Sequence, residues 1–190
     1  MGTVVAGGRV TVARTLAEML LDGLDDRWRH TVAVARRAEE LAATVNPADH
    51  DVLLVSAWLH DIGYSPIAHE TGFHPLDGAA YLLRQGWPAR VAGLVAHHSG
   101  AGFVAQAQGL LDALHGHPDE KSAVSDALTY ADQSVGPAGQ RLPIRLRMAE
   151  MLARHGPDSV QARVHHLRGP YLLAVADRVE RRLPAALAEI

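Results

Sequence analysis

The chain has 190 residues, 48% of them hydrophobic, and a formal charge of −3. That length corresponds to one domain with a single core, able to bury roughly two thirds of its unfolded surface. It contains no cysteine, which excludes disulfides, thiolate metal sites and a cysteine nucleophile, so a bound metal must be held by nitrogen and oxygen.

The intermixed charges give no basic footprint for a stable nucleic-acid complex, and no apolar run has the length to span a bilayer. Met1–Val12 lacks the charged start and apolar stretch of a signal peptide, and Ala6 stands where a myristoylation signal has Ser or Thr. The expected address is cytoplasmic, with no membrane partner. Twelve histidines against two phenylalanines form the compositional anomaly and point to metal or proton chemistry. His115, His117, His155, His165 and His166 also suit a solvated surface.

Apolar residues recur at helical spacing along nearly the whole chain and no segment alternates with a period of two, so the fold reads all-α. A helix over 11–24 precedes one over 28–45, whose inner face carries Val34, Ala38 and Leu41 together with His30. Asn46-Pro47 opens a third helix over 47–61. Its stretch Asp51–Leu59 is apolar on all sides and should cross the centre of the domain. It ends in His60-Asp61, followed by Ile62-Gly63. Left unpaired in a core, those two polar groups would cost several kcal/mol. A hydrogen bond between them satisfies the pair taken alone.

His74-Pro75 and Trp87-Pro88 open helices over 75–86 and 88–98, the second ending in His97-His98. Further helices are expected over 103–115, 119–134, 143–155, 157–167 and 170–188, with joints at His117-Pro118, Leu142-Pro143, Gly156-Pro157 and Gly169-Pro170. Asp132 lies in a mostly apolar helical segment four residues after Leu128, which predicts its burial. The expected organisation is an N-terminal helix in 1–24, a metal-binding core in 25–135, and C-terminal helices in 136–190 that complete the same domain.

His30, His60, Asp61 and Asp132 thus form an inward-facing set of two imidazoles and two carboxylates, which suits a divalent ion with positions left open for water. His74, His97 and His98 are further candidates between Asp61 and Asp132. They would allow a second ion, and two metals roughly 3.5–4 Å apart can clamp both the attacking and the leaving oxygen of a phosphoryl transfer. His74 equally fits a cap or surface residue beside Pro75. Neighbours on a helix point about 100° apart, so of His97 and His98 one is expected at a metal and the other at substrate or solvent.

The order His30, His60-Asp61, Asp132, with the HDIG run and helical surroundings over about 25–135, resembles the HD phosphohydrolase superfamily. The resemblance implies a single HD-type helical bundle and a metal-dependent phosphohydrolase with one or two divalent ions, drawn from Mn, Fe, Co, Ni, Zn or Mg. Its substrate would be a nucleotide or other small phosphoester, and a homodimer is compatible with it. The extra histidines are most similar to the branch in which the Asp of the HD pair bridges two metals. That branch includes symmetric diadenosine tetraphosphate hydrolases, HD-GYP cyclic-di-GMP phosphodiesterases and diiron oxygenases.

Two departures bear on function. Tyr64 stands where many relatives carry lysine, and His97-His98 is not followed by the glutamate and later Gly-Tyr-Pro of an HD-GYP domain, which disfavours cyclic-di-GMP. On this resemblance Asp61 bridges the ions or positions the attacking water, and Tyr64, His69 and Glu70 are candidates for proton transfer. Arg141, Arg145 and Arg147 follow Asp132 beyond a Gly-rich turn. Any one of them suits an exposed helix, but as a group they suit a phosphate clamp, with Arg145 and Arg147 the substrate-binding candidates. The competing readings are a diiron oxygenase on the same ligands and a non-catalytic module that senses a nucleotide. A histidine-rich site should also lose metal below about pH 6, taking up more than one proton per ion.

Overall fold

In the computed structural model, which describes residues 6–184, the chain forms helices α1 (Ala6–Leu20), α2 (Asp25–Glu40), α3 (His50–Leu59), α4 (His74–Arg84) and α5 (Ala89–His97). These are followed by α6 (Ala101–Gln108), α7 (Leu111–His115), α8 (Ala123–Gln133), α9 (Ile144–His155) and α10 (Val160–Glu180). No strand occurs among the described residues; Val135 and Arg141 make one isolated bridge. The fold is all-α, as the periodicity predicts.

Each start has a local cause. Asp25 and Asp26 occupy the first turn of α2, where negative charge meets the positive end of the helix dipole. Asn46 accepts the backbone N–H of Ala48 at 2.9 Å and so fixes the turn Pro47–Asp49 that leads into α3. Ser122 and Ser125 form a reciprocal capping box at α8. α3 is the central element: it packs against α1, α2, α5 and α8, and Leu53, Ala57 and Leu59 are fully enclosed. α10 packs against α6, α8 and α9.

Several boundaries differ from the sequence expectation. The expected helix over 47–61 begins as a 3-10 turn and stops at Leu59, and Ile62–Tyr64 form a separate 3-10 turn. The one expected over 103–115 is broken by Gly109, whose φ of 72° is left-handed backbone that ends a helix. The helix expected from 119 starts only after its cap at Ser122.

The expected joint at Gly169-Pro170 is absent, because α10 runs straight through Pro170. Proline inside a helix costs the hydrogen bond of its missing N–H and a clash of its ring with the carbonyl four residues back, and it also crowds the Cβ of the preceding residue. Gly169 has no Cβ, which removes that part of the cost. α10 ends at Glu180, and residues 185–188 of the expected helix lie outside the described residues.

Candidate metal centre

α3 ends where its apolar sequence ends, and this delivers His60 and Asp61 to the middle of the molecule with 0% and 3% of their surface exposed. α2 contributes His30, α8 contributes Asp132, and the turn after α5 contributes His98, all buried. The N-terminus of α4 brings in His74, and that approach depends on Gly63. A Cβ on Gly63 would lie 2.0 Å from the His74 carbonyl oxygen and 2.6 Å from the Gly78 nitrogen. Asp77 secures the preceding loop by accepting the backbone N–H of Thr71 at 2.8 Å and of Gly72 at 3.0 Å.

These side chains form two triples, His30, His60 and Asp132 on one side and Asp61, His74 and His98 on the other, each with ligand atoms within 4.8 Å of one another. Asp61 lies between them. One of its carboxylate oxygens is 4.0 Å from His30 Nε2, and the other is 3.6 Å from His60 Nε2 and 3.4 Å from His74 Nε2.

The tautomers suit a cation. Nδ1 of His30 lies 3.1 Å from the Gly136 carbonyl, that of His60 2.8 Å from the Ala57 carbonyl, and that of His98 2.6 Å from the Val95 carbonyl. A carbonyl oxygen only accepts, so Nδ1 carries the proton in each ring and Nε2 is the atom left for a cation; in His30 that Nε2 lies 2.9 Å from the Asp132 carboxylate and donates to it until a cation takes the place of the proton. His60 Nε2 is buried without a hydrogen-bond partner. His74 Nε2 and His98 Nε2 face each other at 3.4 Å. An orphaned buried nitrogen and converging lone pairs are what a metal would satisfy, so the residues fit one or two divalent ions bound through nitrogen and oxygen.

The electrostatics agree. Burial resists ionisation of Asp61, but His60, His74, Arg27 and His30 outweigh it and hold the carboxyl below its usual range. Burial likewise opposes the charged form of Asp132, and its bond with His30 overcomes this and holds Asp132 low. His30 is raised: burial works against the imidazolium, and the 2.9 Å contact with Asp132 wins. Burial pushes His74 down to about 3 and also lowers His98, whose neighbour His60 adds to the effect. Ser99, in left-handed backbone with φ 54°, donates its hydroxyl to Asp132. The Ser99 backbone is held by Thr129 Oγ1, 3.1 Å from its N–H, and by Arg168 Nε, 2.8 Å from its carbonyl.

A cavity of about 280 Å³ opens over this cluster. Tyr64 lines it, stacked on His74 at 4.1 Å and covered by the Arg27 guanidinium at 3.7 Å. Burial, reinforced by Asp61, pushes the Tyr64 phenol up to about 12. Arg27 also pairs with Asp61 at 3.3 Å.

The stretch from residue 27 to residue 134 matches the model of the HD domain, more than half of the chain. The chain belongs to the HD domain family. In the comparisons with curated proteins and with solved structures, nothing matches. All six clustered residues lie inside the HD match, whereas α9 and α10 lie outside it and still line the cavity with Arg147, Arg154 and Arg168.

Three sequence candidates fall elsewhere. His97 is outside both triples: its Nε2 lies 3.1 Å from the His117 carbonyl, because the backbone turns to extended geometry at His98 and only that ring enters the centre. Arg145 lines a separate groove, since it is two residues from Arg147 and so faces the other side of α9. Arg141 is exposed and pairs with Glu40 at 3.2 Å. His69 and Glu70 do not line the cavity, and Glu70 pairs with Arg84.

The sequence reading missed Arg27, Ser99, Arg154 and Arg168. A signal existed for Arg27, which precedes His30 by three residues and therefore shares its helix face.

Proposed function

We propose that this HD domain is a metal-dependent phosphohydrolase acting on a nucleotide or other small phosphoester through a dinuclear site. The observation that carries the reading is the sorting of six nitrogen and oxygen ligands, five buried and His74 half-buried, into two triples around Asp61, at the base of an arginine-lined cavity. His30, His60 and Asp132 would hold one ion, and His74, His98 and Asp61 the other. Divalent ions in such a site lower the pKa of coordinated water and neutralise phosphate oxygens.

The chain's own groups supply the rest. The Asp61 carboxylate lies beside both triples and stays ionised at any working pH, so it can orient a water between them. Arg27 is held flat by Tyr64 and Asp61, which fixes its plane and leaves N–H donors along its edge for a phosphate oxygen. Tyr64 stays a neutral phenol across the same range and offers a hydrogen-bond donor rather than a second negative charge.

The test is metal analysis of the purified protein, followed by turnover of mono- and diester phosphates and nucleotides with Mn, Fe, Co or Mg added. Two ions per chain and metal-dependent phosphate release support the proposal. A mixed-valent iron signal in aerobically purified protein, without phosphatase activity, would favour the oxygenase reading. Nucleotide binding with no turnover under any metal would favour the sensing module.

A further inference from the structure

Arg168 sits on α10, outside the HD match, with 8% of its surface exposed, and it lines the cavity above the metal centre. Its Nε donates to the Ser99 carbonyl, which leaves four of its five N–H donors for other partners. Among the described residues no carboxylate comes within ion-pairing distance of it. Burial lowers its pKa, as expected of a cation taken out of water, although Asp132 lies near enough to oppose the effect.

Its neighbours do not relieve the charge. Arg147, buried at 6% exposure, and the more open Arg154 also line the cavity, and both bond to the single carboxylate of Glu150, at 2.6 and 2.9 Å. An unpaired buried charge costs several kcal/mol. With divalent ions bound, Asp61 and Asp132 would be neutralised and the excess of positive charge would grow.

Resting on the phosphohydrolase reading, we propose that Arg168, together with Arg147 and Arg154, binds a second phosphate of the substrate, so that the site takes linked phosphates rather than a lone phosphomonoester. One phosphate would lie at the metal centre and the next against α9 and α10. A cavity of about 280 Å³ is below the usual size for a drug-like ligand, roughly 300–1,000 Å³. The oligophosphate would therefore fill it, and an attached organic group would emerge through the mouth.

The experiment measures binding rather than turnover. Manganese-loaded protein, freed of excess metal, is titrated calorimetrically with methylenebisphosphonate and with methylphosphonate, for wild type, Arg168→Met, Arg168→Lys and Arg154→Met. The expected result is a strong wild-type preference for the bisphosphonate. In Arg168→Met that preference falls roughly ten- to hundred-fold, the worth of a charge-assisted hydrogen bond, with metal content unchanged. Arg168→Lys should recover part of the loss, and the more exposed Arg154→Met should show a smaller one.

Equal affinity of wild type for the two ligands would overturn the proposal. So would a preference that survives both Arg168→Met and Arg154→Met, because the metals alone would then account for it. Arg154→Met keeps the test decisive should Arg168→Met fail to fold. The preference stands or falls without catalysis: a bisphosphonate-selective protein that hydrolyses nothing would sink the phosphohydrolase reading and keep the linked-phosphate site. An active enzyme without the preference would do the reverse.

Discussion

Gly63→Ala should remove one metal ion while sparing the other. The added Cβ would lie 2.0 Å from the His74 carbonyl oxygen and 2.6 Å from the Gly78 nitrogen, both backbone atoms that no rotamer change can move away. Reaching ordinary contact requires the start of α4 to retreat by more than an ångström. Metal–ligand distances tolerate only about 0.2 Å, so His74 would leave the Asp61 and His98 triple. His30, His60 and Asp132 lie on α2, after α3 and on α8, and would keep their relative positions.

Overpacking of this kind costs about 1–3 kcal/mol, which for a domain of this size corresponds to a fall in Tm of roughly 2–12 °C. The assay is metal stoichiometry by mass spectrometry together with thermal melts, using Gly102→Ala as the control. A Cβ there meets only Leu114 at 3.9 Å, so the control should keep both ions and melt no lower than wild type. If Gly63→Ala retained two ions and the wild-type Tm, the close approach of the HDIG turn to α4 would not be what places His74.

Other outcomes follow from the same geometry. His98→Ala should lose an ion whereas His97→Ala keeps both, as metal analysis of the two variants would show. Arg145→Ala should leave kcat/KM unchanged on an identified substrate, while Arg147→Ala lowers it by the equivalent of about 1–3 kcal/mol with metal retained. In metal-free protein the raised pKa of His30 contributes stability below its ordinary value of about 6.5, lost as pH rises through the raised value. The lowered pKa of Asp132 contributes stability above about 3.8, lost as pH falls through its depressed value. His74, held at about 3, and His98, also lowered, act the other way and outnumber His30, because below about pH 6.5 the unfolded chain takes up protons that these buried rings refuse. EDTA-treated protein should therefore melt lower at pH 5 than at pH 8, and added metal should raise Tm more at pH 8; an apo Tm that falls from pH 5 to pH 8 would contradict this. Because His74 is held at about 3 and His98 is also lowered, these two rings bring few protons to compete with metal near neutrality, so release takes up fewer protons than the histidine count suggests.

The all-α fold and the inward placement of His30, His60, Asp61 and Asp132 were legible because each sets a polar group against an apolar helical pattern, and that conflict is visible without coordinates. The choice between His97 and His98 was not. The 100° rule holds within a helix, and the helix ends between these two residues, so backbone torsions at the turn decide which ring enters. Pro170 was misread for a related reason. Proline disfavours a continuing helix most when the residue before it has a Cβ to crowd, and Gly169 has none. Arg145 and Arg147 were treated alike although they lie on opposite faces, and the inward face was marked by buried Met148 and Met151, one and four residues after Arg147.

The arginine wall went unread because attention to a motif stays near its ligands, whereas Arg168 follows Asp132 by a helix and a half. The reasoning that singles out His60 applies to it equally well. Val164 and Leu172, four residues to either side, are buried, so Arg168 is a cation at a core position of its helix. Three arginines of the described chain are buried in this way, and two have an acid three residues on: Glu40 for Arg37 and Glu150 for Arg147. The positions three and four residues from Arg168 hold Val164, His165, Tyr171 and Leu172, none of them acidic. A buried arginine with no acid within a helical turn has to find its counter-charge across the fold or in a ligand. Among the described residues no carboxylate lies against it, and the proposed second phosphate would supply the counter-charge.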